Sequence, residues 1–505
     1  MSPAFKLFLF CFVIVFTERL FFWLWLWQLK NYHLKRFIDH FRTQKGKKLI
    51  FSLPNIILFL LIISLSIVYL VPREETSLYY FIIWLIAVLL FMLSLTFKTL
   101  FRVVKLRLKI PVLTKKTSLL LLIGLLFEFL IIISLFSFGE NGIHLFLFFL
   151  FFSPVFFSLI VLVLQPLTVI QRKKILKKAQ TKRERLKDLT VIGITGSYGK
   201  TSTKEYLSHI LSKKYKVLKT EKNLNAEIGI ANTILKDLNE TYDFLIAEIG
   251  AYEKGKIKQV CEMIQPKIGI LTGINEQHLA TFGSKENIKK AKYELIEKSS
   301  LAVFNDNNEI VKNLGHKKGI RVSNNDLKDI KIDQEKVSFN YKDVFFEVNC
   351  HGKQNIENIM LAVSVSEYLG MSLPEIASIL KDTEIRDIEI EKKNNIIFLK
   401  STYSSNPTGV LADLDYLNLY EGRKTIVMPC LIELGKSSQE VHERIGKGIG
   451  KVCDLAIITT KERFKDIKKG ARGSKTEVVF LQKKEEILKR LKGTVLLEGR
   501  VSKIF

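Results

Sequence analysis

Residues 193–205 read Gly-Ile-Thr-Gly-Ser-Tyr-Gly-Lys-Thr-Ser-Thr-Lys-Glu, a glycine-rich loop between an apolar run, Leu189 to Ile194, and a helix-forming run, Lys204 to Leu211. Strand, loop and helix in that order make an anion cradle. Gly196 and Gly199 let the backbone curl so that several N–H groups face one anion. Lys200 can then neutralise β- and γ-phosphates, and the Thr201 hydroxyl can ligate Mg²⁺. The residue five before Gly199 is Ile194, so the strict P-loop spacing is not met; a T-G-x-x-G-K-T variant is. Two further groups stand where strand ends would carry chemistry. Glu248 closes the run Phe244-Leu-Ile-Ala-Glu, and His278 follows Ile268 to Leu271 by a short loop. Beside a triphosphate a carboxylate and an imidazole can hold Mg²⁺; taken singly, each reads equally as a helix cap and a solvated loop histidine.

These groups need elements to position them, and the chain supplies two kinds. Five apolar runs, near 4–28, 51–72, 78–97, 117–138 and 144–170, have the roughly 20 residues that span a bilayer. Trp23, Trp25 and Trp27 mark an interface, and the first run reads as an anchor, without a cleavage site. Basic loops follow the first run (Lys30, Lys35, Arg36, Arg42, Lys45, Lys47, Lys48), the third (Lys98, Arg102, Lys105, Arg107, Lys109, Lys115, Lys116) and the fifth. All three fall on one side if the N-terminus is outside and five spans cross, which puts everything after about residue 170 in the cytoplasm, with ATP. Glu18, Arg19 and Glu128 lie in or near spans. They read as functional groups, as a structural Glu–Arg pair, or as a sign that the first span is a shorter helix plus an interfacial segment.

The net charge of +27 is gathered largely beside apolar runs in the first half, which favours an anionic membrane surface over nucleic acid. Cysteines stand at 11, 261, 350, 430 and 453 with no C-x-x-C pair, which argues against a zinc site or a disulfide framework. After a basic juxtamembrane linker, 173–189, short Val/Ile/Leu runs alternate with amphipathic patterns. The expected architecture is an α-helical transmembrane bundle, 1–172, and an α/β domain with a mostly parallel sheet, 190–383. A smaller Rossmann-like α/β domain, 384–505, with runs at 396–399, 425–428, 455–459, 478–481 and 495–497, completes it.

Five blocks resemble the Mur ligase family of ATP-dependent amide ligases: Gly193 to Glu205; Lys222-Asn-Leu-Asn-Ala-Glu-Ile-Gly229; Ala247-Glu-Ile-Gly-Ala251; His278 to Ser284 followed by Ala291-Lys-Tyr-Glu-Leu295; and Gly352 to Asn358. The nearest branch is the one that adds D-alanyl-D-alanine to a UDP-muramoyl-tripeptide. The resemblance implies ATP and Mg²⁺ as cofactors. It also implies a reaction in which a substrate carboxylate takes the γ-phosphoryl group and an amine then displaces phosphate. Lys200, Lys292 and His278 would be catalytic. Gly196, Ser197, Tyr198, Gly199, Lys200, Thr201, Ser202, Asn358 and Arg386 would contact ATP, with Asn358 near the adenine. Thr201, Glu248, His278 and Lys292, the last as a carbamate, would hold metal, and Asn223, Asn225 and Asn406 would face substrate.

The departures matter as much. The family's N-terminal UDP-binding domain has no counterpart; apolar runs occupy its place. The branch's D-D-S-Y-N-A-N-P segment reads Lys400-Ser-Thr-Tyr-Ser-Ser-Asn-Pro407, without either acid. A G-D-M-x-E-L-G segment becomes Pro429-Cys-Leu-Ile-Glu-Leu-Gly435, keeping Glu433 and, beyond it, His442; a late K-G-S-x-G segment becomes Glu498-Gly-Arg500. The expected function is a membrane-embedded ligase acting on an envelope precursor and an amino acid or short peptide. The alternatives are a polyglutamate-type synthase and a nucleotide-binding scaffold without catalysis. A lipid-linked amidase is disfavoured because its four-cysteine insertion is missing.

Overall fold

The computed structural model describes all residues except 1, 42, 71–74, 222–223, 384, 386, 402–405, 500 and 502–505. It divides into two compact units, residues 1–171 and 172–505.

Among the described residues, five helices of the first unit are long and apolar enough to cross a membrane. They are Pro3–Leu29, Leu53–Leu70, Glu75–Val104, Lys115–Phe136 and Ile143–Val163. Phe5, Phe8, Phe12 and Phe16, spaced for one helix face, are buried, and Phe12 and Phe16 meet Phe146 and Phe157 edge-on. The first helix is continuous through its polar residues. Glu18 pairs with Arg102 at 2.7 Å rather than with Arg19, and Arg19 donates to Leu150 O and Asn55 Oδ1. Glu128 accepts from the Thr17 hydroxyl. The third helix runs past Lys98 and Arg102, beyond the expected 97, because charge ends an apolar window without ending a backbone hydrogen-bond ladder.

In the second unit, six parallel strands form one sheet in the order β2-β3-β1-β4-β5-β6. They are β1 (Thr190–Thr195), β2 (Val217–Lys219), β3 (Phe244–Glu248), β4 (Ile268–Leu271), β5 (Leu301–Asn305) and β6 (Gly319–Val322). β1 lies between β3 and β4, with Ile194 opposite Glu248 and Thr195 opposite Leu271. That register brings the phosphate loop, Glu248 and the loop to His278 to one sheet edge, the place where parallel sheets bind ligands. A separate antiparallel sheet, β7 (Leu327–Ile332), β8 (Lys336–Tyr341) and β9 (Val344–Asn349), was not expected from the sequence. Its strands alternate buried residues such as Val337, Phe339, Phe346 and Val348 with polar ones, so they lack the continuous apolar runs of the parallel sheet.

A third sheet, order β10-β11-β15-β12-β13-β14, comprises β10 (Glu389–Lys393), β11 (Ile396–Ser401), β12 (Lys424–Met428), β13 (Leu455–Ile458), β14 (Glu477–Phe480) and β15 (Thr494–Glu498). Only the β10–β11 pair is antiparallel. Most of the stretch expected as a linker is the end of a helix, Gln165–Glu184, whose Leu176 and Ala179 are buried in the core of the parallel-sheet domain.

Candidate active site

The phosphate loop is shaped by its neighbours. Ser197 N donates to Gly273 O at 2.7 Å, and Thr272 Oγ1 donates to Tyr198 O. Gly199, at φ +73°, begins the helix Lys200–Leu211; a Cβ there would lie 2.3 Å from Asn358 Oδ1, and one on Gly196 would lie 1.9 Å from Thr272 Oγ1. Both positions therefore need glycine. Tyr198 packs on Gly273 and accepts from Asn308 Nδ2 at 3.1 Å. Burial, with Glu357 adding to it, pushes its phenol up to about 12, so it stays neutral.

Lys200 Nζ and Lys292 Nζ both donate to Gly196 O at 2.8 Å. Burial lowers the proton affinity of each. Glu248 opposes this at Lys200, whereas Lys200 reinforces it at Lys292, which falls well below the usual lysine range. The Lys200 ammonium suits an anion in the loop, and the low proton affinity of Lys292 suits an amine that reacts in its neutral form.

Glu248, at the end of β3, is fully engaged. Its Oε2 accepts from Thr201 Oγ1 and its Oε1 from Asn225 Nδ2, both at 2.9 Å. Lys204, one helical turn beyond Lys200 and completely buried, donates to Thr220 O at 2.7 Å and lies 3.6 Å from Glu248 Oε2. A hydroxyl and a carboxylate in contact are hard oxygen donors that fit Mg²⁺, an ion that takes much of its shell from water and phosphate oxygens. That shell matters here, since no three His, Cys, Asp or Glu residues form one cluster among the described residues.

The remaining groups come from the junction with the third sheet's domain. His278, in the left-handed region at φ 63°, places Nδ1 2.7 Å from Glu433 Oε2, and its ring lies edge-on to Tyr252. Burial lowers its proton affinity while Glu433 opposes the change. Glu433 O accepts from Ala280 N at 3.0 Å. His442, wholly buried, accepts from Leu431 N at 2.9 Å and faces Ser438 O through Nδ1, which fixes its tautomer and the loop carrying Glu433. Asn275 donates to Asn406 Oδ1 at 3.0 Å and Thr408 Oγ1 at 2.9 Å, Glu276 pairs with Arg444 at 3.1 Å, and Ser202 donates to Asp387 at 3.0 Å.

The structure thus brings together Thr201, Glu248 and Asn225, and Lys200 with Lys292; it gives His278 a separate partner. Asn358 packs behind the phosphate loop, accepting from Thr203 Oγ1 at 3.3 Å, and Asn406 also caps the helix Pro407–Leu417. Asn223 and Arg386 lie outside the described residues. Sequence reasoning passed over Lys204, Asn275, Glu276, Asp387 and Arg444, although Lys204 sits inside the glycine-loop motif and the retained Glu433-Leu-Gly was a signal for Glu433.

Residues 194–366 match the Mur ligase middle domain. Among curated proteins the chain is similar to UDP-N-acetylmuramoyl-tripeptide–D-alanyl-D-alanine ligases. The Bacillus subtilis enzyme is 29% identical over 271 residues, 51% of this chain and 59% of the relative; the Borreliella burgdorferi enzyme is 31% identical over 302 residues, 55% and 63%. The chain thus spans about three-fifths of these relatives' length. Among solved structures, the MurF ligase of Thermotoga maritima in complex with ADP aligns with TM-score 0.57 and 26% identity, over 66% of this chain and 81% of that one. MurF from Acinetobacter baumannii, at TM-score 0.59 and 24% identity over 66% and 79%, shares the fold.

Proposed function

We infer that this chain, which carries the middle domain of the Mur ligase family, is an ATP- and Mg²⁺-dependent ligase that forms an amide bond on a cell-envelope precursor at the membrane. The observation that carries this is the pairing of Thr201 with Glu248 at the mouth of a phosphate loop on which Lys200 and Lys292 converge. In the reaction, an oxygen of the substrate carboxylate attacks the γ-phosphorus of ATP, and ADP leaves. An amine then attacks the resulting acyl phosphate, loses a proton, and inorganic phosphate departs with its bonding pair. The loop N–H groups and Lys200 hold the triphosphate, and the protein's main work is positioning and charge neutralisation. Thr201 and Glu248 would hold Mg²⁺, which would supply further positive charge. Asn225 and Lys204 fix the Glu248 carboxylate, and Glu433 orients His278. A carbamate on Lys292 is supported by the amine's burial and low proton affinity, and a CO₂-dependent mass increase on that lysine tests it.

Five apolar helices precede residues 194–366, the part that matches the family's middle domain, which supports a lipid-presented acceptor, with the N-terminus outside and the catalytic domains cytoplasmic. The test is ATP-dependent phosphate release from membranes containing the chain, screened over amino acids and dipeptides, with Lys200→Ala as control. Release above that control for at least one acceptor is expected. ATP binding with release equal to the control for every acceptor would favour the scaffold reading, which the replaced acids at Lys400 and Ser401 keep in play.

A further inference from the structure

Lys204 follows Lys200 by about one turn of the helix Lys200–Leu211, and its side chain is completely buried. A buried ammonium persists only among groups that compensate its charge. Its Nζ donates to Thr220 O at 2.7 Å and lies 3.3 Å from Glu205 Oε1 and 3.6 Å from Glu248 Oε2. Glu205 is shared, because its other oxygen meets Lys219. Glu248 Oε2 is the same oxygen that accepts from the Thr201 hydroxyl. Thr220 Oγ1 in turn accepts from Glu248 N at 3.0 Å. One threonine therefore fixes both the ammonium and the strand end that carries the carboxylate.

Around this carboxylate the protein's own charges do not favour a divalent cation. Lys204 and Lys219 offset Glu205 and Glu248, and Lys200, whose charge interacts with Glu248, adds to the positive side. Among the described residues, no three His, Cys, Asp or Glu form a group that could hold a metal ion by themselves. A cation settling on Glu248 Oε2 would have the buried ammonium as its neighbour, and like charges repel far more strongly there than in water. A nucleotide reverses the balance, since its phosphates bring several negative charges and oxygen ligands of their own. We propose that Lys204 keeps Mg²⁺ off the Thr201–Glu248 pair until a nucleotide is bound, so that the ion enters with the phosphates or after them. Lys204 touches no reacting atom; it is a positioning residue that acts through Glu248. The inference rests on reading Thr201 and Glu248 as Mg²⁺ ligands.

The test uses the full chain in neutral detergent and equilibrium dialysis of radioactive Mn²⁺, which stands in for Mg²⁺. A Glu248→Gln chain gives the background for nucleotide-free uptake. The parent is expected to retain Mn²⁺ with ADP and to stay at background without it. Nucleotide-free Lys204→Met should bind Mn²⁺ at least about tenfold more tightly than the nucleotide-free parent, as loss of a buried like charge requires. Lys204→Arg, which keeps the charge, should behave as the parent. Glu205→Gln, which removes a compensating carboxylate, should weaken Mn²⁺ in the ADP complex severalfold. A nucleotide-free parent that binds Mn²⁺ as tightly as its ADP complex overturns the proposal, and so does a folded Lys204→Met chain that binds no more tightly than the parent. If Lys204→Met does not fold, the parent and Glu205→Gln decide between the outcomes. ADP binding is read separately, by displacement of a fluorescent analogue. A chain that binds neither ADP nor Mn²⁺ overturns the metal–nucleotide reading of the site itself. One that binds ADP and also holds Mn²⁺ without it overturns only the part given to Lys204.

Discussion

The domain of the phosphate loop and the domain of the third sheet meet around His278, yet they hold their polar groups differently. On the first side, the functional groups answer to one another over shorter chain distances, 47 residues for Thr201–Glu248 and 23 for Asn225–Glu248. Thr201, Lys200 and Lys204 follow a single loop, and Glu248 and Asn225 belong to the neighbouring strand and the turn before its helix. On the second side, the contributions are scattered: Asp387 reaches Ser202, Asn406 and Thr408 reach Asn275, Glu433 reaches His278, and Arg444 reaches Glu276. Each contact joins a residue before 290 to one after 385, and they come from separate segments. A motif can be lost from the second side without dissolving the junction, because no one segment carries it. The replaced acids at 400 and 401 illustrate this: Lys400 pairs with Glu389 and Glu391 on its own sheet, and Glu433 still arrives.

If the first side does the phosphate chemistry, breaking it should have the largest effect. Lys200→Ala or Glu248→Ala should lower ATP-dependent phosphate release by roughly 10³-fold, as removal of a charge-stabilising group at a reacting centre does. Either variant retaining a tenth of the activity would move the chemistry elsewhere. The second side should matter less, and through geometry. Glu433→Gln keeps the shape but weakens the hold on His278, and roughly 10- to 100-fold is expected, as for a partner that orients a functional side chain. The loss should fall on kcat with an unchanged melting temperature, and Glu433→Asp should restore part of it. A fall in stability with kcat intact would make Glu433 a purely structural contact.

How far the sequence could be read follows the same division. The parallel strands around the phosphate loop were legible because each is an unbroken apolar run, and Lys200, Thr201 and Glu248 were legible because the loop and the strand end fix them locally. The sheet β7–β9 was not, since strands such as Lys336–Tyr341 present polar residues at every second position. Nor were the pairs Glu276–Arg444 and Ser202–Asp387, whose partners are 168 and 185 residues apart. Such contacts depend on domain docking, for which neither periodicity nor spacing carries a signal. The same holds for Lys204: its place in the motif was plain, but its burial against Thr220 and Glu248 depends on strand register.

Smaller effects test whether the second side is a set of independent contacts. Glu276 is buried and held by both Arg444 and Lys285, whereas Arg444 is half-buried. A double-mutant cycle of Glu276→Gln and Arg444→Met should give a coupling of only about 1 kcal/mol in stability after solvent screening. A coupling several times larger would mean that this pair, rather than the sum of contacts, locks the domains.

The smallest effect concerns Asp413, which lies under the strand end where the family acids are replaced. It is buried beside Glu498 and Ser401, and burial raises its proton affinity, with Asp387 adding to the shift. Its folded-state value therefore exceeds the unfolded one. The stability it contributes is complete below the ordinary aspartate value of 3.8 and is lost as pH rises through about 6. Asp413→Asn removes that titration, so between about pH 4 and 7 the variant should lose less stability than the parent, by roughly 1–3 kcal/mol at the upper end. Melting curves of the detergent-purified chain across this range read the difference. Parallel slopes would show that Asp413 stays ionised in the fold, with its charge met from outside its own sheet. The polar groups of the second domain would then be part of the junction rather than an interior matter.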